Sequence, residues 1–170
     1  MYTTKNTLPE NIRIASIALL QDRLSDGIDV MLQTKQAHWN IKGDNFIGLH
    51  KLFDKVNDGA RDWVDLVAER LVQLGGIAEG TLKTTEARST MPDYPLTISN
   101  GIEHVEALSK TLAMFGQLVR VAIDEMARIG DQDSSDIFLQ ISREVDQFLW
   151  FVEAHNQAGK QIEMKRAKIA

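Results

Sequence analysis

Apolar residues recur along this chain at steps of three and four, in four long segments. Nowhere do apolar and polar residues alternate as they would in a half-buried strand. The first segment runs from Pro9 to His38, where Ile17, Leu20, Leu24, Ile28 and Met31 share one helix face; Pro9 suits a first-turn position. The second runs from Phe46, after the possible caps Asp44 and Asn45, to Leu74 before Gly75-Gly76. Leu49, Leu52, Phe53, Val56, Ala60, Val64, Val67, Ala68 and Leu71 form its stripe, with Trp63 expected on a different side. The third starts after Ser99 and Asn100 and stops at Gly130, with Leu108, Leu112, Phe115, Val119, Ala122 and Met126 along one face. The fourth starts near Asp133 or Ser134 and fades by Gly159, carrying Ile137, Phe138, Ile141, Val145, Phe148, Leu149 and Val152.

The connections decide how four such helices pack. His38 to Phe46 and Gly130 to Ser134 are short, which makes antiparallel neighbours. Gly75 to Ser99 is long and holds Pro92 and Pro95. A helix of about 28 residues is roughly 42 Å long, a distance this connection can span. Helices two and three can then run parallel. The predicted fold is all-α, a ferritin-like four-helix bundle with one long crossover between helices two and three. It occupies residues 9–159, with an N-terminal tail over 1–8 and a basic C-terminal tail over 160–170.

Composition narrows the chemistry. The 170 residues are 44% hydrophobic and 25% charged, as expected of one globular domain rather than a disordered chain. Three prolines permit long uninterrupted helices. No cysteine is present, which excludes disulfides, zinc fingers and iron–sulfur clusters, and four histidines supply all the side-chain nitrogen for a metal site. The net charge of −5 argues against a surface that grips nucleic acid all over. Met1 to Glu10 does not read as a secretory leader, and Ile14 to Leu20 is too short to cross a membrane, so a cytoplasmic protein is expected.

No glutamate has a histidine three residues later, so the Glu-x-x-His pair of a di-iron bundle is missing. Helix two offers another arrangement. His50 and Asp54 are four apart, as are Asp65 and Glu69, and all four fall within an arc of about 100°. His50 and Glu69 nevertheless lie about 28 Å apart along the axis, too far for one ion. The pairs 50/69 and 54/65 share one midpoint, between Gly59 and Ala60. Two copies of the helix crossing antiparallel there bring His50 opposite the partner's Glu69 and Asp54 opposite the partner's Asp65. A glycine inside a helix costs about 1 kcal/mol relative to alanine, and close approach at such a seam gives Gly59 a reason. His38, at the end of helix one, folds back toward His50 and adds a second nitrogen. Imidazole with hard carboxylates suits Fe(II), Mn or Zn. Against this, carboxylates at four-residue spacing usually form a solvated face, Trp39 and Trp63 read first as packing residues, and His104 and His155 read as structural or surface residues.

The run His38-Trp39-Asn40-Ile41-Lys42-Gly43, then Phe46, Leu49-His50 and Asp54, then Asp65 and Ala68-Glu69-Arg70, resembles the Dps family, the mini-ferritins named as DNA-binding proteins of starved cells. The resemblance continues through Gly75-Gly76, Tyr94-Pro95-Leu96 and Phe148-Leu149-Trp150-Phe151. It implies a hollow homo-dodecamer whose sites lie between two-fold-related subunits. There two iron ions per site pass from Fe(II) to Fe(III), with hydrogen peroxide or dioxygen as acceptor, and are stored as ferric mineral; Zn or Mn are possible substitutes. By the same resemblance His38, His50 and Asp54 are one subunit's ligands, Asp65 and Glu69 are the other's, and Trp39 intercepts radicals. Asp131, Asp133 and Asp136 would line an acidic pore, although charge at a helix N-terminus explains them equally well. The chain lacks the lysine-rich N-terminal arm of the best-known members. Lys160, Lys165, Arg166 and Lys168, against Glu163, form a basic end that either contacts DNA or is simply solvated. Two further readings stand beside the iron-oxidising one: a DNA-compacting, nucleoid-associated shell with secondary metal binding, and a helical oligomer without catalysis.

Overall fold

The computed structural model describes the backbone of residues 1–167 and the side chains of 1–157. Five helices follow in order: α1 Glu10–Asn40, α2 Phe46–Gln73, α3 Leu82–Arg88, α4 Gly101–Ile129 and α5 Gln132–Ala167. Among the described residues there is no strand, and no helix is long and apolar enough to cross a membrane.

Helices α1 and α2 form one antiparallel hairpin, α4 and α5 the other. The start of α4 lies beside the start of α2, because Lys42 pairs with Asn100 and Gly101 packs on Leu49. At the opposite end, Arg70 of α2 meets Asp131 at the start of α5. Helices α2 and α4 therefore run parallel, as the long crossover requires. The core between the hairpins is a column of fully buried side chains that includes Leu20, Leu24, Phe53, Val56, Leu71, Leu108, Leu112, Met126, Phe138 and Ile141.

Local chemistry sets the ends. Asn100 accepts a hydrogen bond from the Glu103 amide at 3.0 Å, capping α4. Gly130, at φ 95°, closes α4 in the left-handed conformation that glycine adopts without strain. The cap of α5 is Asp131, whose Oδ1 accepts from the Ser134 amide at 3.1 Å, rather than Asp133 or Ser134. Helix α5 also continues past Gly159, where the periodic pattern fades, to Ala167.

Three features depart from the sequence expectations. The crossover is not bare loop but contains α3, and it is fastened to a polar line on α1. Gln21 bonds both the amide and the carbonyl of Glu79, Asp26 holds Thr90, Asp29 accepts from Ser89, and Gln33 donates to the Pro92 carbonyl. Asp26 and Gln33 are buried by this cover, although α1 is polar there by sequence. Second, Trp63 belongs to the core: it is 1% exposed, stacks with Phe115 and donates from Nε1 to Glu144 at 2.8 Å. Third, Gly59 faces α5 within its own chain. A Cβ there would lie 2.6 Å from the Phe148 ring, so intrachain packing already explains the glycine.

Candidate metal centre

The last turns of α1 and the first turns of α2 are held together by a five-residue connector, residues 41–45. Ile41 is buried, and Gly43 turns the chain at φ 108°. This brings residues twelve apart in sequence into contact. The His38 and His50 rings stack with centroids 3.7 Å apart and planes 22° apart, and Phe46 flanks His50 at 5.0 Å.

Each imidazole is fixed by the other residue's backbone. His38 donates from Nδ1 to the His50 carbonyl at 2.8 Å, and His50 donates from Nδ1 to the His38 carbonyl at 2.9 Å. A carbonyl only accepts, so both Nδ1 atoms carry hydrogen and both neutral rings keep the lone pair on Nε2. A backbone acceptor that sets tautomer and ring orientation is the usual support of a metal-binding histidine. Asp54, one turn beyond His50, has its Oδ1 3.8 Å from the His38 ring nitrogen.

Lys35 completes this group and was not singled out from the sequence. It lies one turn before His38 on α1, and its ammonium hydrogen-bonds the Asp54 carboxylate. That bond is the largest cause holding the Asp54 carboxyl below the usual carboxylate range, against the effect of burial. The signal for Lys35 was its three-residue spacing to His38, which places both on one face.

Asp65 and Glu69 are exposed on the same helix, toward its other end. At about 1.5 Å per residue they stand roughly 16–28 Å from Asp54 and His50. The chain therefore brings His38, His50 and Asp54 together and leaves Asp65 and Glu69 apart, as two separate half-sets. Among the described residues no group of three or more His, Asp or Glu is arranged to enclose an ion. Trp39 is 67% exposed beside the histidine pair.

The acidic trio at the start of α5 divides. Asp133 and Asp136 are exposed, as a pore lining requires. Asp131 does not belong with them. It is 1% exposed, its Oδ1 is 2.8 Å from the Arg70 guanidinium, and its Oδ2 accepts from the Ser134 hydroxyl at 2.6 Å. Burial opposes its charge, but the bonds from Ser134 and Arg70 hold its carboxyl below the usual range. It caps α5 and ties α5 to α2. Of the basic end, Lys160, Lys165 and Arg166 lie beyond the last described side chain and Lys168 beyond the last described residue.

His104, read from the sequence as structural, is buried, and its Nδ1 lies 2.7 Å from the Tyr94 hydroxyl, joining crossover to α4. His155 is exposed and meets Asn45 at 2.9 Å.

Comparison with known proteins places this geometry. The ferritin-like domain family matches residues 17–162. A DNA protection during starvation protein of Agrobacterium fabrum is 40% identical over 156 residues, covering 92% of this chain and 96% of the relative. The structure of Mycobacterium smegmatis Dps in a tetragonal form superposes with a TM-score of 0.86 at 31% identity, over 90% of this chain and 93% of that one. DpsA14 from Streptomyces coelicolor gives 0.83 at 34% identity, over 91% and 93%. The two hairpins, the single long crossover and these similarities agree, and the chain belongs to the Dps family of ferritin-like proteins.

Proposed function

We propose that this chain oxidises Fe(II) at sites shared between two-fold-related copies and stores the product as ferric mineral inside a hollow dodecamer. The observation that carries the reading is the reciprocal bonding of His38 and His50, which leaves the Nε2 lone pair of each ring unused, with the Asp54 carboxylate 3.8 Å from His38 Nδ1. These three residues make half a coordination shell. Asp65 and Glu69 of the partner subunit supply the other half, since the same chain holds its own copies too far away. Iron is substrate and cargo here, two ions per site, and Zn or Mn suits the same nitrogen and oxygen donors.

The division of labour follows from charge. The carboxylates neutralise the incoming cations, and the imidazoles orient them without adding charge. Lys35 hydrogen-bonds the Asp54 carboxylate, so an incoming metal ion competes with its ammonium for that carboxylate. Two Fe(II) ions give one electron each to one hydrogen peroxide, which takes up two protons and leaves as two waters. Hydroxyl radical, the product of one-electron reduction of peroxide, is thereby avoided. Trp39, next to the pair, intercepts stray radicals, and exposed Asp133 and Asp136 draw Fe(II) toward the interior. The relatives' name, DNA protection during starvation protein, fits this chemistry. The protein acts in the cytoplasm in this reading, and its basic end, Lys160 with Lys165, Arg166 and Lys168, is the part that touches DNA.

The test is anaerobic loading of the assembled protein with Fe(II), followed by peroxide and then by ferric absorbance. Oxidation much faster than in buffer, with iron retained by the shell on gel filtration, is expected. Oxidation at the buffer rate would overturn the reading.

A further inference from the structure

The outward face of α2 is complementary to itself about its own midpoint, and the complementarity extends past the candidate ligands. Asp58 and Arg61 straddle the point between Gly59 and Ala60 that also centres the pairs 50/69 and 54/65. Both side chains are exposed, at 57% and 65%, and they carry opposite charge. Ile47 and Val72 share the same centre near the two ends of the helix, and both are apolar side chains more than half exposed. At 100° per residue, Asp58 and Arg61 lie within about 30° of the mean direction of the candidate ligands, and Ile47 and Val72 within about 10°. One two-fold operator thus sets acid against base at the centre and apolar against apolar at the ends.

Within one chain, Asp58 and Arg61 are only an i,i+3 pair at 3.3 Å, with Asp62 on the flank 3.9 Å from Arg61. An exposed pair of this kind contributes about 0–1 kcal/mol and gives no reason for the placement. Across the operator the same residues form a ring of four alternating charges.

We propose that Asp58 and Arg61 are positioning residues: in the two-fold pair each Asp58 meets the partner's Arg61, and this ring sets the register that aligns the two half-sites. The ring also makes the seam selective for a second copy of this chain, because a helix with other charges at these two positions meets repulsion. The proposal rests on reading α2 as the shared-site seam, and it adds the contacts that hold the register.

Charge reversal tests it in the full-length protein. Asp58→Arg leaves a seam of four positive charges, and Arg61→Asp leaves one of four negative charges. Each variant alone should stay helical by circular dichroism but lose the shell mass in light scattering. Mixed in equal amounts, the two should regain it, because an all-positive seam then meets an all-negative one. Two single variants that each assemble like the parent, or that remain small when mixed, would overturn the ring. Should either reversal fail to fold, the neutral variant Asp58→Asn/Arg61→Gln decides. Its shell should dissociate at a protein concentration on the order of tenfold higher than the parent's, and unchanged dissociation overturns the proposal. Failure of the ring is distinguishable from failure of the shared site. Variants that assemble normally and still oxidise iron remove only the ring, whereas loss of the shared site is read separately from the ligand variants.

Discussion

His38 and His50 hold each other in place: each ring donates from Nδ1 to the other's backbone carbonyl, at 2.8 and 2.9 Å. Neither histidine is oriented by its own helix alone. The pair exists only because the connector closes α1 onto α2, so the tautomer of both rings is a property of the hairpin. An iron site built on them is preorganised before any cation arrives.

Complementation between ligand variants follows from the split site. His50→Ala and Asp65→Ala should each abolish fast Fe(II) oxidation while the shell persists. A seam pairing one chain of each type has one site lacking both ligands and one site intact. Random mixed shells should therefore regain about a quarter of the sites. Stopped-flow oxidation of co-refolded variants measures this, and a mixture as inactive as its parts would contradict a shared site.

Replacing Lys35 removes the internal cation from Asp54. In Lys35→Met the Asp54 carboxyl should titrate higher than in the parent, by carboxyl NMR, because its largest stabilising hydrogen bond is gone. The pair is half exposed, so the cost of displacing the ammonium is up to about 1 kcal/mol. Zn(II) binding to the assembled shell should accordingly tighten by no more than about fivefold in a calorimetric titration.

The acidic residues at the start of α5 should separate by phenotype. Asp131→Asn removes the buried acid from the Arg70 guanidinium and leaves only the exposed Asp133 carboxylate 3.7 Å away, at a cost of up to about 3–5 kcal/mol, read as a lowered melting temperature. Asp133→Asn with Asp136→Asn should leave the melting temperature almost unchanged, because both side chains are exposed. If these two line the pore, this double variant slows iron uptake, measured by the rate of ferric mineral growth.

Gly59→Ala should destabilise the chain even though alanine is the better helix former. The helix gains about 1 kcal/mol, but the new methyl group stands 2.6 Å from the Phe148 ring, and overpacking costs about 1–3 kcal/mol. Phe148→Leu in the same chain should recover part of the loss. Urea unfolding of the single and double variants separates the two terms.

Burial pushes the His104 imidazole below its ordinary value of 6.5. The unfolded chain then binds more protons at this residue than the folded one, so stability rises with pH through this range. The contribution is complete above pH 6.5 and is lost as pH falls from there toward the folded value. His104→Gln should flatten this limb of the stability curve, and an unchanged slope would assign the acid sensitivity elsewhere.

Much of this molecule was legible in the one-dimensional pattern. Apolar residues at three- and four-residue steps marked the four long helices to within a few residues at most ends, because burying one stripe is what makes an amphipathic helix stable. Connection lengths marked which helices are antiparallel, because a short link cannot return along a long helix. The spacing of His38, His50 and Asp54 was legible for the same reason, since it follows helix geometry across one short turn. What the pattern could not carry were contacts between segments far apart in the chain. Gly59 looked like a seam residue until Phe148, almost ninety positions away, was found against it. Asp131 looked like a surface acid until Arg70 and Ser134 were seen to bury it. Trp63 read as a packing residue set off the apolar stripe, and Phe115 and Glu144 show which surroundings it packs into. In each case the neighbour that the residue meets was decided by how the two hairpins pack, which the period along a single helix does not report.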